Sequence, residues 1–568
     1  LRIELKACYG KKVLPGTFTM THFTKIEPQL FYSLPLQVKE VKKLDAFLSL
    51  LERSQVWKLI PNIPSDSDPG RPPYDKYCLF AAVLYCFAIG KDSLREIETA
   101  CQVDLRVIYL MKDYRPSFST IARFITSLEP KLRIIFSTLS KQIFKDCSID
   151  MDTVFLDGTK IEANANKYKF VWKPTTFHAR LDEKIRGLLS TLNLNSNLPS
   201  ESFIPSSVLM KKVKAAAQKK SDEVEGGEKA LRKMTQTLTQ YLIKVIEYEE
   251  KERICGPNRR SYYKTDHDAT AMCLKEDYYS GLGSNMHAAY CTQLLVSNGF
   301  VVTYYVSQDR TDIRTLQPTL KVFQEMYGKY PKRLGADAGY GNLSNYDFCQ
   351  KNNIRAFVKY SSWSGESSGR YPAMYEYIGN ETIVCLGGRE GRPTCLDGRH
   401  PTKPEAVFYV VKGCTGCEFM VYCRRFSNNK TGDEKVFEIQ PRYCELKQHA
   451  RDILLSPEGI EMRVNRSCQV EGVFGALKQN MSYTRFRRRL LANATLELAL
   501  TCLGHNVRKF LRFVEFNKLP RYWRAPANLQ TATFKKPSAK RLANRVLKKR
   551  MKQPNEVARD SYRKRGCG

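Results

Sequence analysis

The sequence predicts a mixed α/β protein with a helical N-terminal region. Apolar segments at 288–296 and 300–306 have the alternation of strands, a helical pattern follows at 315–326, and strand and helix patterns then alternate up to residue 359. Such alternation is typical of a mixed sheet flanked by helices. With 568 residues, 42% of them hydrophobic, the chain is long enough to bury more than one core.

The N-terminal region shows helical spacing. Apolar residues recur at intervals of three and four across 77–127, with breaks near Gly90 and Pro116. This pattern predicts three or four short helices, two of them capped by Ser93 and Ser119. A DNA-binding helix-turn-helix and a plain bundle packed on the core both fit the pattern, and both interpretations stay open.

Two insertions interrupt the predicted core. Residues 180–252 are charged and favour helix, apart from a polar stretch at 193–207, so we expect a helical insertion that acts as a spacer or a dimer contact. Residues 361–458 are rich in Gly, Tyr and Cys. We expect this second segment to form a separate, cysteine-containing insertion.

Four cysteines of the second insertion are candidate ligands of a structural Zn²⁺. Cys414 and Cys417 have Cys-x-x-Cys spacing, and Cys385 and Cys423 would complete a set of four thiolates. Free thiols are an equally weighted alternative, because the other spacings are irregular.

The charge of the chain predicts a nucleic-acid partner. The formal net charge is +34, and from Met481 onward 23 Lys and Arg stand against four acids. We expect the stretch 535–565 to be flexible and to bind DNA without sequence choice. Met20 is the first methionine, and residues 1–19 are therefore left out of the fold prediction.

Cysteine usage and hydropathy indicate the cellular compartment. Most of the 18 cysteines are scattered singly among apolar neighbours, which predicts a reduced, cytoplasmic protein associated with DNA. The longest apolar run, 78–89, is too short to span a bilayer, so we expect no membrane role.

Three acids in distant segments are the candidate catalytic residues. Asp157 lies in VFLDGTKIEANANKY, Asp337 in RLGADAGYGN and Glu471 in RSCQVEGVFGALK. We expect the two aspartates to follow strands at 154–156 and 332–336, and the glutamate to lie on a packed helix. Carboxylates so placed can hold Mg²⁺, and two ions about 4 Å apart can promote phosphodiester chemistry.

Plainer interpretations exist for each acid taken singly. An Asp before Gly is often a turn residue, and a Glu on an amphipathic helix often belongs to a solvated face. Four further acids near these segments rank below the chosen three: Asp152, Glu162, Asp309 and Asp312.

The three segments, in this order, resemble the signature motifs of the DDE transposases encoded by bacterial insertion sequences. DGTKIEANANKY resembles the first-Asp motif, GADAGYGN the second, and VEGVFGALKQNMSYTRFRRR the Glu motif. The resemblance runs with interruptions from about residue 72 to 508. It implies a ribonuclease-H-like catalytic core and an N-terminal helical domain that binds transposon ends.

The resemblance also implies roles for single residues. Asp157, Asp337 and Glu471 become the catalytic residues and the ligands of Mg²⁺ or Mn²⁺, with two ions expected, and Lys478 a phosphate contact. Many related enzymes carry a Tyr and an Arg at fixed spacing before the Glu. Arg466 lies one residue too far away for that pattern, and we leave it unassigned.

Downstream of the glutamate, a basic strip is expected to track the DNA backbone, with a solvated charge run as the alternative. Its residues are Arg485, Arg487, Arg488 and Arg489, interrupted by Phe486. For Tyr340, a role in positioning DNA and a buried packing role have equal weight.

These expectations divide the chain as follows: 20–145, an N-terminal helical domain that binds DNA ends; 146–180, 256–360 and 459–518, the three parts of the catalytic core; 181–255, the helical insertion; 361–458, the cysteine-containing insertion; 519–568, the basic tail. The expected function is DNA transposition by metal-dependent cleavage and strand transfer. The partners are double-stranded DNA and further copies of the chain, at least a dimer. A nuclease without strand transfer and a transposase-derived DNA-binding protein without activity are the alternatives.

Overall fold

The computed structural model describes residues 38–60, 74–191, 227–257, 259–274, 285–395, 405–427 and 431–548. Parts of the predicted N-terminal domain, helical insertion and basic tail lie outside these ranges, as does the polar stretch at 193–207. No helix of the described ranges is both long and apolar enough to cross a membrane.

The described chain begins with a group of helices. They are α1 (Val38–Ser54), α2 (Lys76–Ala88), α3 (Leu94–Val103), α4 (Leu105–Leu110), α5 (Phe118–Ser127) and α6 (Leu132–Asp146). Ser93 caps α3 as predicted, and its backbone N–H donates to the Glu96 carboxylate at 3.2 Å. The predicted cap at Ser119 is wrong: α5 begins earlier, and the Ser117 hydroxyl accepts the backbone N–H of Thr120 at 3.4 Å.

The N-terminal helices pack against the long helix α15 (Leu491–Phe516) near the C-terminus. Helix α2 is buried along nearly its whole length, and Gly504 of α15 faces it so closely that a Cβ there would lie 2.6 Å from the Phe87 carbonyl carbon. These helices and the central sheet share one hydrophobic cluster. The observed packing is that of a helical bundle lying on the core.

The core is a mixed sheet. Its strands are β1 (Thr153–Glu162), β4 (Thr270–Met272), β5 (His287–Ser297), β6 (Phe300–Ser307), β7 (Arg333–Ala336) and β8 (Arg355–Val358). Strand β1 pairs antiparallel with β5 and parallel with β7, β8 pairs parallel with β7, and β4 and β6 pair antiparallel with β5. Helices α9 (Leu316–Tyr327) and α10 (Leu343–Lys351) complete the predicted α/β, ribonuclease-H-like class, which is confirmed.

Strand β1 is longer than predicted. It continues to Glu162 because β5 pairs with it from Phe155↔Val296 to Glu162↔Ala289, whereas β7 pairs with it only up to Leu156↔Ala336. Asp157 therefore lies within a strand, at the point where the parallel pairing stops, and the expectation that it ends the strand is wrong.

The helical insertion contains two packed helices, α7 (Thr175–Thr191) and α8 (Gly227–Cys255), with the short strands β2 (Phe170–Trp172) and β3 (Ser261–Tyr263) paired antiparallel at their base. The two helices share a small apolar cluster of their own. This cluster consists of Leu181, Ile185, Leu189, Leu238, Leu242 and Val245.

The cysteine-containing insertion forms a second sheet that the sequence did not reveal. Its strands are β9 (Tyr375–Gly379), β10 (Thr382–Cys385), β11 (Glu390–Thr394), β12 (Val407–Val411) and β13 (Lys435–Ile439), in the order β13-β12-β11-β10-β9. Short helices α11 (Trp363–Ser367) and α12 (Met420–Cys423) accompany them. Strand β12 reads VFYVV and has an ordinary strand composition, but β11 reads EGRPT and contains both Gly and Pro, so β11 lacks the usual strand signature.

Two helices return the chain to the core. Helix α13 (Pro441–Leu455) is followed by α14 (Pro457–Gly475), which ends in a π-helical turn at Ala476–Asn480. The Ser456 side chain caps α14 by accepting the Gly459 backbone N–H at 3.1 Å. Helix α14 packs across β1, β5, β7 and β8, and Gly335 of β7 leaves room for the Phe155 ring of β1, since a Cβ there would lie 2.7 Å from Phe155 Cδ1.

Residues of the basic tail up to 548 contact the rest of the protein, whereas 549–565 lie outside the described residues, and the flexibility expected for 535–565 stays a prediction. The Phe534 ring lies 5.0 Å from the Trp363 ring in an edge contact, and the Ala532 backbone N–H donates to the Leu455 carbonyl at 2.9 Å. Residues 539–548 are helical, and Arg545 lies over the Tyr371 ring. Aromatic and backbone contacts thus hold a segment for which the composition had indicated only a high positive charge.

Candidate active site

The candidate site lies where the parallel pairing of three strands stops. Strands β1, β7 and β8 are aligned through Leu156, Ala336 and Val358. The residues that follow these three positions are Asp157, Asp337 and Lys359, and side-by-side strands bring them to one edge of the sheet. The two predicted aspartates are therefore brought together.

Lys359 was missed by the sequence analysis. Burial lowers the pKa of Lys359, and the neighbouring carboxylate of Asp337 opposes that shift. Its position at the end of the strand predicted to reach residue 359 was the available signal, since adjacent parallel strands end at the same edge. The acidic edge thus has a cation beside it.

Asp157 is held by two donors. The Gly158 backbone N–H donates to Oδ1 at 2.9 Å, and Arg466 Nη1 donates to Oδ2 at 3.0 Å. Burial raises the pKa of Asp157, the Arg466 guanidinium lowers it, and the charges of Asp337 and Asp312 raise it further. Asp337 and Asp312 thus place like charge next to the Asp157 carboxylate, and a bound cation would relieve the repulsion.

Arg466, unassigned from the sequence, is the closest cation to that set. It lies on α14 with only 8% of its surface exposed, and it forms the ion pair with Asp157. Arg466 thus contacts Asp157 from a position one residue further from Glu471 than the family pattern expects.

Asp312 also belongs to the site, although it ranked below the chosen acids. Its Oδ1 accepts Gln293 Nε2 at 2.8 Å and the Cys291 thiol at 3.3 Å. The Tyr340 hydroxyl donates to Gln293 Oε1, and Tyr340 is 1% exposed. Of its two interpretations, Tyr340 has the packing role, because its ring is enclosed and its hydroxyl is used within the protein.

Gly158 makes room for this network. A Cβ at residue 158 would lie 2.6 Å from Asp312 Oδ1 and 2.9 Å from Gln293 Cδ. No side chain larger than hydrogen fits between Asp157 and these neighbours without displacing them. Steric crowding thus explains why a glycine follows Asp157 in the first motif.

Glu471 lies on the helix that crosses the strands, but its side chain is exposed. Before Glu471 in the sequence, Arg466 contacts Asp157. After Glu471, Lys478 Nζ donates to the Lys160 carbonyl at 3.4 Å. Glu471 therefore lies between two residues that contact β1. Within the described ranges, no three His, Cys, Asp or Glu side chains are placed to hold a metal ion.

The other acids named from the sequence are engaged elsewhere. Asp152 forms ion pairs of 2.7 Å with both Lys329 and Lys332, before β1 begins. Glu162, at the end of β1, lies 3.8 Å from His287. The Asp309 carboxylate accepts the Ser307 hydroxyl at 3.1 Å.

The basic strip is attached to the rest of the protein. Arg487 forms an ion pair of 2.6 Å with Asp92, and Arg488 Nη1 donates to the Thr126 hydroxyl at 3.1 Å. Both partners belong to the N-terminal helical region, and Phe486 between the arginines is buried. Arg485 and Arg489 contact carbonyls that follow β1, at Ala165 and Asn164, and their side chains are exposed.

A buried carboxylate fixes the strip from the other side. Glu497 of α15 accepts the backbone N–H groups of Arg487 and Arg488 at distances of 2.9–3.1 Å. Burial raises the pKa of Glu497 to about 7, and the two backbone donors oppose the shift. The segment predicted to bind DNA is thus also a connection between core and N-terminal helices.

The four predicted zinc ligands lie in the second sheet, away from this acidic edge. They are Cys385, Cys414, Cys417 and Cys423, and all four line one small cavity. None of them forms a disulfide.

Comparison with known families agrees with this geometry. The model of the transposase DDE domain matches residues 388–511, which include Glu471 and Lys478, and the transposase domain DUF772 matches residues 33–127, which cover most of the N-terminal helices. No curated protein and no solved structure matches the chain. The two family matches, with the aspartates next to aligned positions of adjacent parallel strands in a ribonuclease-H-like sheet, identify this protein as a DDE transposase of the insertion-sequence type.

Proposed function

We propose that this DNA transposase cleaves DNA at the ends of an insertion sequence and joins the freed 3′ hydroxyls to target DNA. Asp157, Asp337 and Glu471 are the proposed catalytic carboxylates. The observation that carries the proposal is the alignment of Leu156 with Ala336, which places two acids at neighbouring strand positions beneath the helix that bears the third.

Asp157 and Asp337 supply oxygen donors of the kind that Mg²⁺ and Mn²⁺ prefer, and the exposed Glu471 side chain would have to move to join them, because no three such side chains of the described ranges are placed around one ion. Asp157 is buried next to the like charges of Asp337 and Asp312, an arrangement that a divalent cation would relieve. Asp157, Asp337 and Glu471 would hold the ions, two in number. When bound, they supply activation of the attacking hydroxyl and stabilisation of the leaving oxygen.

The side chains around the carboxylates orient the DNA and balance charge. In the first step a water oxygen bonds to phosphorus and the 3′ oxygen leaves with a proton. In the second the freed 3′ hydroxyl bonds to a target phosphorus and expels the target's own 3′ oxygen. Arg466 neutralises Asp157 before substrate enters, and Lys359 and Lys478 would contact phosphate groups of the DNA.

The rest of the chain is proposed to provide DNA contacts and assembly. The N-terminal helices would bind element ends, and the exposed Arg485 and Arg489, together with the basic tail, would contact the backbone without sequence choice. Pairing of two ends requires at least a dimer, and the reaction takes place on DNA in the cytoplasm.

Asp337→Asn tests the site. Wild-type protein and variant are incubated with Mg²⁺ and a plasmid that carries the element with its own flanking DNA. We expect cleavage to fall by about a thousand-fold or more with DNA binding preserved. The control is Asp347→Asn, an acid of α10 that pairs with Arg442 on the surface. Unchanged cleavage by Asp337→Asn would refute the assignment.

The products separate the alternatives. Joined product molecules in which an element end is covalently attached to target DNA support transposition, whereas nicks alone indicate a nuclease without strand transfer. DNA binding with no metal-dependent cutting by the wild-type protein indicates a transposase-derived binding protein.

A further inference from the structure

The second sheet gathers four thiols from three separate parts of the chain. Cys385 ends β10, Cys414 and Cys417 lie in the turn after β12, and Cys423 ends α12. All four line one cavity of about 20 Å³. That volume suits a single small occupant, since one water-sized probe needs about 10–15 Å³.

Two tight turns present these thiols. In the first, Gly388 adopts a φ of +78° and its N–H donates to the Cys385 carbonyl at 2.8 Å. In the second, Gly416 adopts a φ of +73° and the Cys417 N–H donates to the Cys414 carbonyl at 3.2 Å. Glycine is suited to both positions because side chains rarely adopt a left-handed backbone.

The first turn favours a negatively charged sulfur. The Arg389 backbone N–H donates to Cys385 Sγ at 3.4 Å, and donation to sulfur stabilises a thiolate more than a thiol. A Cβ on Gly387 would lie 2.8 Å from Cys417 Sγ and 3.8 Å from Cys385 Sγ, so the two sulfurs lie over the same glycine. The turns thus bring thiols from distant sequence positions to a common space.

Positive side chains surround the cavity. Lys435 and Arg424 line it, and the Arg389 guanidinium lies beside Gly387 and Gly413. Four thiolates around a divalent cation carry a net charge of about −2, which these side chains can balance.

Within the described residues, the apolar core of this sheet is small. Its buried side chains are Ile383, Tyr409, Val411, Phe437 and Ile439, and partly buried residues pack against them. So small a core is usually supplemented by a disulfide or a metal ion, and its cysteines form no disulfide.

We propose that Cys385, Cys414, Cys417 and Cys423 bind one structural Zn²⁺ that holds the second sheet together. Because no three of these side chains are now placed around a common point, ligation requires rotation of thiols about their χ1 bonds within the cavity. The result is a tetrahedral site with Zn–S distances of about 2.3 Å. Cys444 does not line the cavity, and Cys395 is exposed.

The test is the metal content of the full-length protein purified from zinc-supplemented cells without chelators. We expect one Zn per chain by mass spectrometry of the metals, and essentially none in Cys414→Ser/Cys417→Ser. Cys395→Ser is the matched control and should keep its zinc. Since the double variant can lose zinc by misfolding, wild-type protein is also reconstituted with Co²⁺, for which intense visible bands of tetrahedral thiolate coordination are expected.

Two outcomes would overturn the proposal. They are wild-type protein with well under one Zn per chain and no thiolate bands with Co²⁺, or zinc retained in the double variant. A Cys414–Cys417 disulfide in freshly prepared protein, detected by thiol counting, would also overturn it. Asp337→Asn should keep its zinc, so failure of the proposed catalytic function and failure of this site are distinguishable.

Discussion

Arg466 and Asp157 form an ion pair of 3.0 Å between α14 and the strand at the centre of the sheet. Both side chains are largely shielded from solvent, and the guanidinium occupies one oxygen of a carboxylate that is proposed to bind metal. The pair therefore gives the acidic edge a charge-balanced state before DNA or ions arrive. Burial raises the pKa of Asp157, and the Arg466 guanidinium opposes that shift.

Replacement of Arg466 by alanine should shift the pH dependence of cleavage. Burial already raises the pKa of Asp157 and Arg466 lowers it, so loss of the arginine raises that pKa further. The acid limb of the pH–rate profile should therefore move to higher pH. Asp312→Asn removes a like charge and should move the limb the other way.

The control for this prediction is Arg442→Ala, which breaks an exposed pair with Asp347 far from the site. Its profile should match the wild-type one. Shifts of the same sign for Arg466→Ala and Asp312→Asn would contradict the electrostatic explanation, because the two side chains act on Asp157 with opposite charge.

Much of the core could be predicted from sequence. Apolar segments on either side of Gly299 predicted β5 and β6, and the Asp337 motif ended its strand as expected, because buried strands have a distinct pattern. The length of β1 could not be predicted, because pairing with β5 rather than local sequence extends it past Asp157. Local pattern cannot show a partner that lies more than a hundred residues away.

The candidate site shows the same division. Motifs pointed to Asp157 and Asp337, but nothing local linked Arg466 or Asp312 to them, because their contacts arise only when α14 and the turn before α9 pack on the sheet. The second sheet was missed for a different reason: β12 reads VFYVV and has a strand composition, but its neighbour β11 reads EGRPT, a composition typical of loops.

Replacement of Gly158 by alanine should impair both stability and cleavage. The added Cβ would lie 2.6 Å from Asp312 Oδ1, so the Gln293–Asp312 network has to move. We expect a loss of about 1–3 kcal/mol in unfolding free energy, typical of an overpacked site, with reduced cleavage. Urea unfolding and cleavage assays provide the measurements.

Gly187→Ala is the matched control for the glycine test. Gly187 lies within α7, and a Cβ there would meet nothing within 4 Å. Alanine should stabilise this helix by roughly 0.5–1 kcal/mol. Equal stability changes at the two glycines would argue against crowding at residue 158.

Arg487 and Arg489 should differ in what they do. Arg487→Ala leaves Asp92, whose side chain is 6% exposed, without its ion-pair partner, and should lower the melting temperature. Arg489→Ala should leave the melting temperature unchanged but weaken DNA binding and reduce the salt slope by about one. Thermal unfolding and binding titrations at several salt concentrations measure the two effects. If both variants lose only DNA affinity, the connecting role of Arg487 is wrong.

Glu497 should make stability depend on pH near neutrality. Burial raises its folded-state pKa to about 7 from an ordinary value of 4.5. Between these values the folded state keeps a proton that the unfolded state has lost, so the stabilising contribution is full below about 4.5 and is lost as pH rises through about 7. Glu497→Gln cannot ionise and should flatten this decline, which over the roughly 2.5 units between the two pKa values is on the order of 3–4 kcal/mol at about 1.4 kcal/mol per unit. Urea unfolding of both proteins at pH 5 and pH 8 measures the difference.

Parallel stability curves of the two proteins would contradict this prediction. They would mean that the carboxylate ionises without cost, because its two bonds to the backbone N–H groups of Arg487 and Arg488 fully offset its burial.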